Sequence, residues 1–183
     1  MSDMSNFKSE AISWLKTIFF AVIVSLLITN FVIVNASVPS ASMENMIMTG
    51  DRLVAFRMSY LMDEPKRYDV VVFRFPDDPT HATLYVKRII GLPGETVEII
   101  NGKVYIDGSL EPLADYYIKE PQAIEQDMKF TVPEGKYFML GDNRNISQDS
   151  RYWNNKFVEE KEILGQVVFR YFPSFKIFER FSK

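Results

Sequence analysis

The chain has 183 residues, 47% of them hydrophobic and 14% aromatic, which suits one ordinary domain with a short appendage and excludes a disordered chain. Its net charge of −3 argues against a general nucleic-acid binder, whose phosphate contacts need a basic surplus, so no nucleic-acid partner is expected. No cysteine and a single histidine, His81, exclude thiol catalysis, disulfide frameworks, iron–sulfur ligation and Cys- or His-rich metal sites, and leave at most one imidazole for acid–base work.

From Thr17 to Val34 the sequence reads TIFFAVIVSLLITNFVIV, uncharged and polar only at Thr, Ser and Asn. As a helix this run is about 27 Å long, close to the hydrocarbon thickness of a bilayer. Trp14 and Lys16 flank its start as interfacial anchors would, Lys8 and Lys16 precede it, and no Lys or Arg follows until Arg52. That bias places the N-terminus in the cytoplasm. Three readings are open: a buried helix of a soluble protein, which ought to show a polar face; a cleavable signal peptide cut after Ala36, where VNA supplies small residues; and an uncleaved signal anchor, which the length favours. The last predicts a single-pass protein of the cell membrane, with a cytoplasmic tail over residues 1–16, an anchor over 17–35 and an extracytoplasmic β-rich domain over 36–183.

Beyond Ala36 short β-type runs alternate with turn chemistry: RLVAF, DVVVFRF, TLYVKRII, TVEII, KVYID, KFTV, KYFML and GQVVFRYF. In VEIINGKVYIDG, Asn101-Gly102 stands between two such runs and predicts a hairpin with a type I′ turn. The fold class is mainly β, an antiparallel domain behind one transmembrane helix. Residues 107 to 129 read as an irregular excursion. The tail YFPSFKIFERFSK fits either a short helix on the bilayer surface, with Phe175, Phe178 and Phe181 three apart, or a terminal segment packed on the β core.

Three stretches carry candidate chemistry. Immediately after the apolar run, SVPSASM offers Ser37, Ser40 and Ser42. In TLYVKRII, strand alternation puts Tyr85, Lys87 and Ile89 on one face and Leu84, Val86, Arg88 and Ile90 on the other, so Lys87 has apolar company. Burial penalises an ammonium and lowers its pKa. An ordinary lysine is neutral only about once in 2,500 at pH 7, whereas one brought to about 8 is a competent general base. The loop GDNRNISQDSR, residues 141 to 151, fails the spacing of a calcium loop: with Asp142 first, Arg144 takes the third position and Trp153 replaces the bidentate Glu. It offers instead a structural ion pair, Asp149 with Arg151, and a hydroxyl, Ser147, aimed at another site.

In this order behind one N-terminal anchor, PSASM, YVKRIIGLPGE and GDNRNISQDSR resemble the type I signal peptidases, in the short single-anchor form typical of Gram-positive bacteria. The resemblance implies a membrane-bound serine endopeptidase that removes signal peptides from exported preproteins and needs neither metal nor cofactor. It makes Ser42 the nucleophile and Lys87 the general base, with the Ser40 hydroxyl and the Ser42 backbone N–H as oxyanion donors. Ser147 then orients the lysine, and Asp149 with Arg151 supports it. Val38, Pro39, Met43, Ile47, Leu84, Tyr85 and Val86 are implied to line shallow pockets that accept small residues at the first and third positions before the cut. Where the family commonly has Pro-Thr, this chain has Asn45-Met46; Asn still suits a turn. His81 matches no motif and reads as a loop residue. The rival readings are a self-cleaving Ser–Lys regulator, which the apolar run opposes, and a membrane-tethered β scaffold without activity.

Overall fold

A computed structural model describes residues 2–61, 63–123 and 126–178, with no account of the side chains of residues 2–9 and 11. The chain begins with α1 (Ser2–Leu27), which runs on through one π-helical turn, Ile28–Val32. The span Ile12–Val32, 21 residues with a mean hydropathy of 2.1 and none of its apolar window buried against the protein, is long and apolar enough to cross a membrane. Its polar side chains are absorbed by the helix itself: Thr17 Oγ1 donates to Ser13 O, Thr29 Oγ1 to Ser25 O and Asn30 Nδ2 to Leu26 O, at 3.1, 2.9 and 2.8 Å. That local bonding is what lets hydroxyls and an amide sit in an apolar surface.

The helix stops two residues before the apolar run does. Ile33 is extended, and Ile33–Ser37 forms β1, so Ile33, Val34 and Asn35 belong to the β domain and not to the spanning helix expected from the sequence. β1 pairs antiparallel with β2 (Arg52–Phe56), from Ile33↔Phe56 to Ser37↔Arg52. Val34 and Ala36 are thereby buried, and the β-branched Ile33 and Val34, suited to a pleated surface, follow the sheet once β2 is present to receive them.

The remaining strands are β3 (Val70–Arg74), β4 (Leu84–Gly91), β5 (Thr96–Ile100), β6 (Lys103–Ile106), β7 (Met128–Thr131), β8 (Lys136–Leu140), β9 (Val158–Glu159), β10 (Ile163–Phe172) and β11 (Lys176–Ile177). The main sheet runs β1-β2-β10-β3-β4-β8-β9, with β11 added to β10, and β6-β5-β7 form a second, smaller sheet. All recorded pairings are antiparallel. The Asn101-Gly102 hairpin is present: both residues have positive φ, 50° and 75°, and Ile100 faces Lys103. β3 is buried along four consecutive residues, as a central strand covered on both faces must be.

Of the two readings of the tail, the described part packs on the sheet. Lys176–Ile177 pairs with Phe169 and Arg170, and Phe178 contacts the core; Phe181 lies outside the described residues. One core cluster gathers Met43, Ile47, Leu53, Val72, Leu164 and Val167. A second joins β8 to the small sheet through Ile90, Val97, Phe138 and Leu140, and a third joins β3, β4 and β8 through Phe73, Ile89, Met139 and Trp153.

Candidate active site

β4 carries Lys87 and Arg88 to opposite sides of the sheet, because successive side chains in a strand alternate. Lys87 reaches toward the short 3-10 turn Ala41–Met43, where its Nζ stands 2.5 Å from Ser42 Oγ. Both are enclosed: Lys87 is 4% and Ser42 9% exposed. Tyr85, two residues back on the same face, brings its ring 5.6 Å from the amine. Burial lowers the Lys87 pKa to about 8; the Asp149 and Asp142 carboxylates pull it back up, and the Arg151 guanidinium pushes it down. A neutral amine against a hydroxyl can accept that hydroxyl's proton, and this arrangement is the chemistry the site offers.

The Ser42 turn is fixed from below and from the side. Met43 is fully buried and inserts into the core. Glu44, Asn45 and Met46 continue as a turn, so Asn-Met serves where a Pro-Thr pair was the family pattern. From the side, Asn143 N donates to Ser42 O and Asn143 Nδ2 to Ala41 O, each at 3.1 Å. Glu44 meets Lys119 at 3.0 Å, tying the turn to the excursion between β6 and β7. Ser40 is exposed, and its Oγ donates to Ser42 Oγ at 3.3 Å.

The Gly141–Arg151 loop supports the pair without touching it through side-chain hydrogen bonds. Asp149 and Arg151 form a two-point ion pair, Nε to Oδ1 at 2.8 Å and Nη2 to Oδ2 at 2.9 Å, with neither side chain exposed. Asp149 Oδ2 also accepts from Gly141 N at 3.0 Å, and Arg151 Nη2 donates to Arg144 O at 2.8 Å. Ser147 is 1% exposed and lies close by, since a Cβ on Gly141 would come within 2.2 Å of its Oγ and 2.5 Å of Ser42 O. Its hydroxyl, however, has no hydrogen-bond partner among the described residues, so the bond to Lys87 implied by the resemblance is absent from this structure.

A cleft of about 380 Å³ opens over the pair. Val38, Pro39, Ser40, Met43, Leu84, Tyr85 and Val86 all line it. Ile47 does not: it is fully buried in the core cluster that contains Met43, because an isoleucine one turn behind the loop fills the interior before it can reach the groove. Sequence reasoning missed Thr83, Ile146 and Gln148 in the lining. For Ile146 the signal was an isoleucine in an otherwise polar loop. It also missed the ion pair of Arg88 and Asp142, and no local pattern marked Arg88 as more than a strand arginine. His81 stands exposed in a positive-φ turn, 3.5 Å from Glu162, away from the cleft. Among the described residues, no group of three or more His, Asp or Glu converges as metal ligands would.

Comparison with known proteins identifies the family of the whole chain. Residues 11–172 match the family described as signal peptidase, peptidase S26. A probable signal peptidase I-2 of Synechocystis sp. is 40% identical over 168 residues, covering 88% of this chain and 74% of that one. The signal peptidase I of Leptolyngbya laminosa is 36% identical over 170 residues, covering 90% and 81%. That of Bacillus licheniformis is 36% identical over 178 residues and covers 92% of both chains.

Proposed function

The chain belongs to the signal peptidase family, peptidase S26, as a membrane-anchored serine peptidase that cleaves signal peptides, and from that premise we propose that Ser42 is its nucleophile and Lys87 its general base. The carrying observation is the 2.5 Å approach of Lys87 Nζ to Ser42 Oγ with both side chains buried. Ser42 donates its proton to the neutral amine as its Oγ attacks the scissile carbonyl. The Ser40 hydroxyl, 3.3 Å from Ser42 Oγ, and the Ser42 backbone N–H hold the oxyanion. Lys87, now an ammonium, passes the proton to the leaving amine. Water then attacks the ester with the same amine as base, and Ser42 is restored. Asp149 and Arg151 hold the loop that encloses Lys87. No step calls for a metal or a cofactor.

The substrate enters as an added strand. β4 pairs with β3 from Leu84 to Arg88, but with β8 only from Arg88 onward. The other edge of Leu84–Lys87 therefore faces the cleft, opposite Val38–Ser40. The shallow walls around Val38, Met43, Tyr85 and Val86 suit small side chains, typically alanine, at the first and third positions before the cut.

The anchor crosses the cell membrane once, with residues 1–16, ahead of the uncharged run, on the cytoplasmic side and the β domain outside. Ser42 follows Val32, the last helical residue, by ten residues of sequence, so it lies within about 35 Å of the helix end. The bilayer thus holds the catalytic pair where translocated signal peptides emerge. Purified full-length chain in detergent should process a preprotein with alanine at both positions, whereas Ser42→Ala and Lys87→Ala should not. Full processing by either variant would overturn the assignment of the pair.

A further inference from the structure

Ile146 is 57% exposed on a loop that is otherwise polar, and nothing about its setting is loose. The N–H groups of Ile146 and Ser147 donate to Asn143 O at 3.3 and 3.0 Å, and Asn143 is itself bonded to the carbonyls of Ala41 and Ser42. Asn145 is clamped from outside, accepting from Ala123 N at 2.8 Å and donating to Pro121 O at 3.2 Å. Ser147 and Asp149 turn inward and are buried, whereas Ile146 and Gln148 turn outward and line the same cleft as Ser42 and Lys87. A braced loop thus presents one apolar and one carboxamide side chain to the groove.

Their place along the groove follows from the strands. Thr83 and Lys87 both line it and lie about 13 Å apart along extended chain, so the groove has a Thr83 end and a Lys87 end. The loop bearing Ile146 is bonded to Ala41 and Ser42, which puts Ile146 and Gln148 at the Lys87 end. If the residues before the cut occupy the walls near Val38 and Tyr85, the chain after the cut continues past Ser42 toward this loop.

We propose that Ile146 and Gln148 form the leaving-side subsite. Ile146 takes an apolar side chain from the first residue after the cut, and the Gln148 carboxamide hydrogen-bonds the peptide backbone that follows; the inference rests on Ser42 and Lys87 being the reacting pair. The enzyme then selects for the first residue of the mature protein as well as for the small residues of the signal.

The test uses full-length chain in detergent micelles and two peptides with alanine at the first and third positions before the cut, differing only in leucine or serine immediately after it. Wild type should favour leucine by about tenfold in kcat/KM, the scale on which an apolar wall discriminates. Ile146→Ser should bring the ratio to about one, chiefly by lowering kcat/KM for the leucine peptide, and Ile146→Val should keep the preference. Gln148→Ala should raise KM for both peptides alike. A wild type indifferent to the two peptides, or an Ile146→Ser chain that keeps the preference, overturns the subsite. Persistent cleavage by Ser42→Ala overturns the reacting pair, and the subsite with it, so the two failures read differently.

Discussion

Arg88 and Asp142 meet through two hydrogen bonds, Nε to Oδ1 at 2.8 Å and Nη2 to Oδ2 at 2.5 Å, with neither side chain exposed. The Arg88 guanidinium also donates to Tyr68 O and lies over the Tyr117 ring, 4.3 Å from its centroid. One strand therefore delivers Lys87 to the Ser42 hydroxyl on one side, while its next residue locks the loop that holds the Ser42 turn on the other.

Removing one partner strands the other charge without solvent. Asp142→Ala should lower unfolding stability by about 3–5 kcal/mol, measured by denaturant titration of the full chain in detergent. A loss below about 1 kcal/mol would show that the pair does not brace the two elements.

The lysine gives activity and stability opposite demands. With Lys87 near 8, roughly a tenth of the amine is neutral at pH 7, so kcat/KM should rise with pH and level off above about 8. An ordinary lysine would leave it rising past pH 10. The folded state holds this proton less tightly than the unfolded chain, whose lysine sits near 10.5. Between about 8 and 10.5 the unfolded state binds more protons, so stability rises with pH across that window, and below it the buried ammonium carries its full cost. Lys87→Met should abolish cleavage yet stabilise the chain at pH 7 by about 1–3 kcal/mol.

Gly141 leaves room that a methyl group cannot share. A Cβ there would stand 2.2 Å from Ser147 Oγ and 2.5 Å from Ser42 O, displacing the turn that presents Ser42, the proposed nucleophile. Gly141→Ala should cut kcat by about a hundredfold or more, because a small misplacement of reacting groups has that effect. A variant with wild-type kcat would mean the turn yields without disturbing Ser42.

In the proposed mechanism Ser40 acts on developing charge and not on the resting substrate. Ser40→Ala should lower kcat by about 10²–10³ with KM nearly unchanged, read from steady-state cleavage of an alanine-containing peptide. An effect confined to KM would assign Ser40 to binding.

The site after Ala36 should remain uncut. Val34 and Ala36 are buried and paired across to Ala55 and Leu53, so the segment cannot open into a protease groove without unzipping β1. Intact-mass measurement of the purified membrane form should find residues 1–36 still joined to the rest, and an N-terminus at Ser37 would contradict this.

What short-range chemistry specifies was legible without coordinates. The spanning run shows in hydropathy, RLVAF, TVEII and KYFML in β-branched and aromatic content, and the Asn101-Gly102 turn in the φ its residues tolerate. The motifs resembling the signal peptidases pointed to Ser42 and Lys87 from chain order alone. Alternation could say which face of β4 bears Lys87, but not that Ser42, 45 positions earlier, closes over it. That depends on the Ser42 turn being tied to Asn143 and on β3, β4 and β8 lying side by side. The end of the helix at Val32, the burial of Ile47, the pairing of Arg88 with Asp142 and the outward turn of Ile146 were likewise decided only in three dimensions. Each is set by a neighbour brought in by sheet pairing or loop docking, and a residue's own sequence surroundings contain no term for a partner 50 residues away.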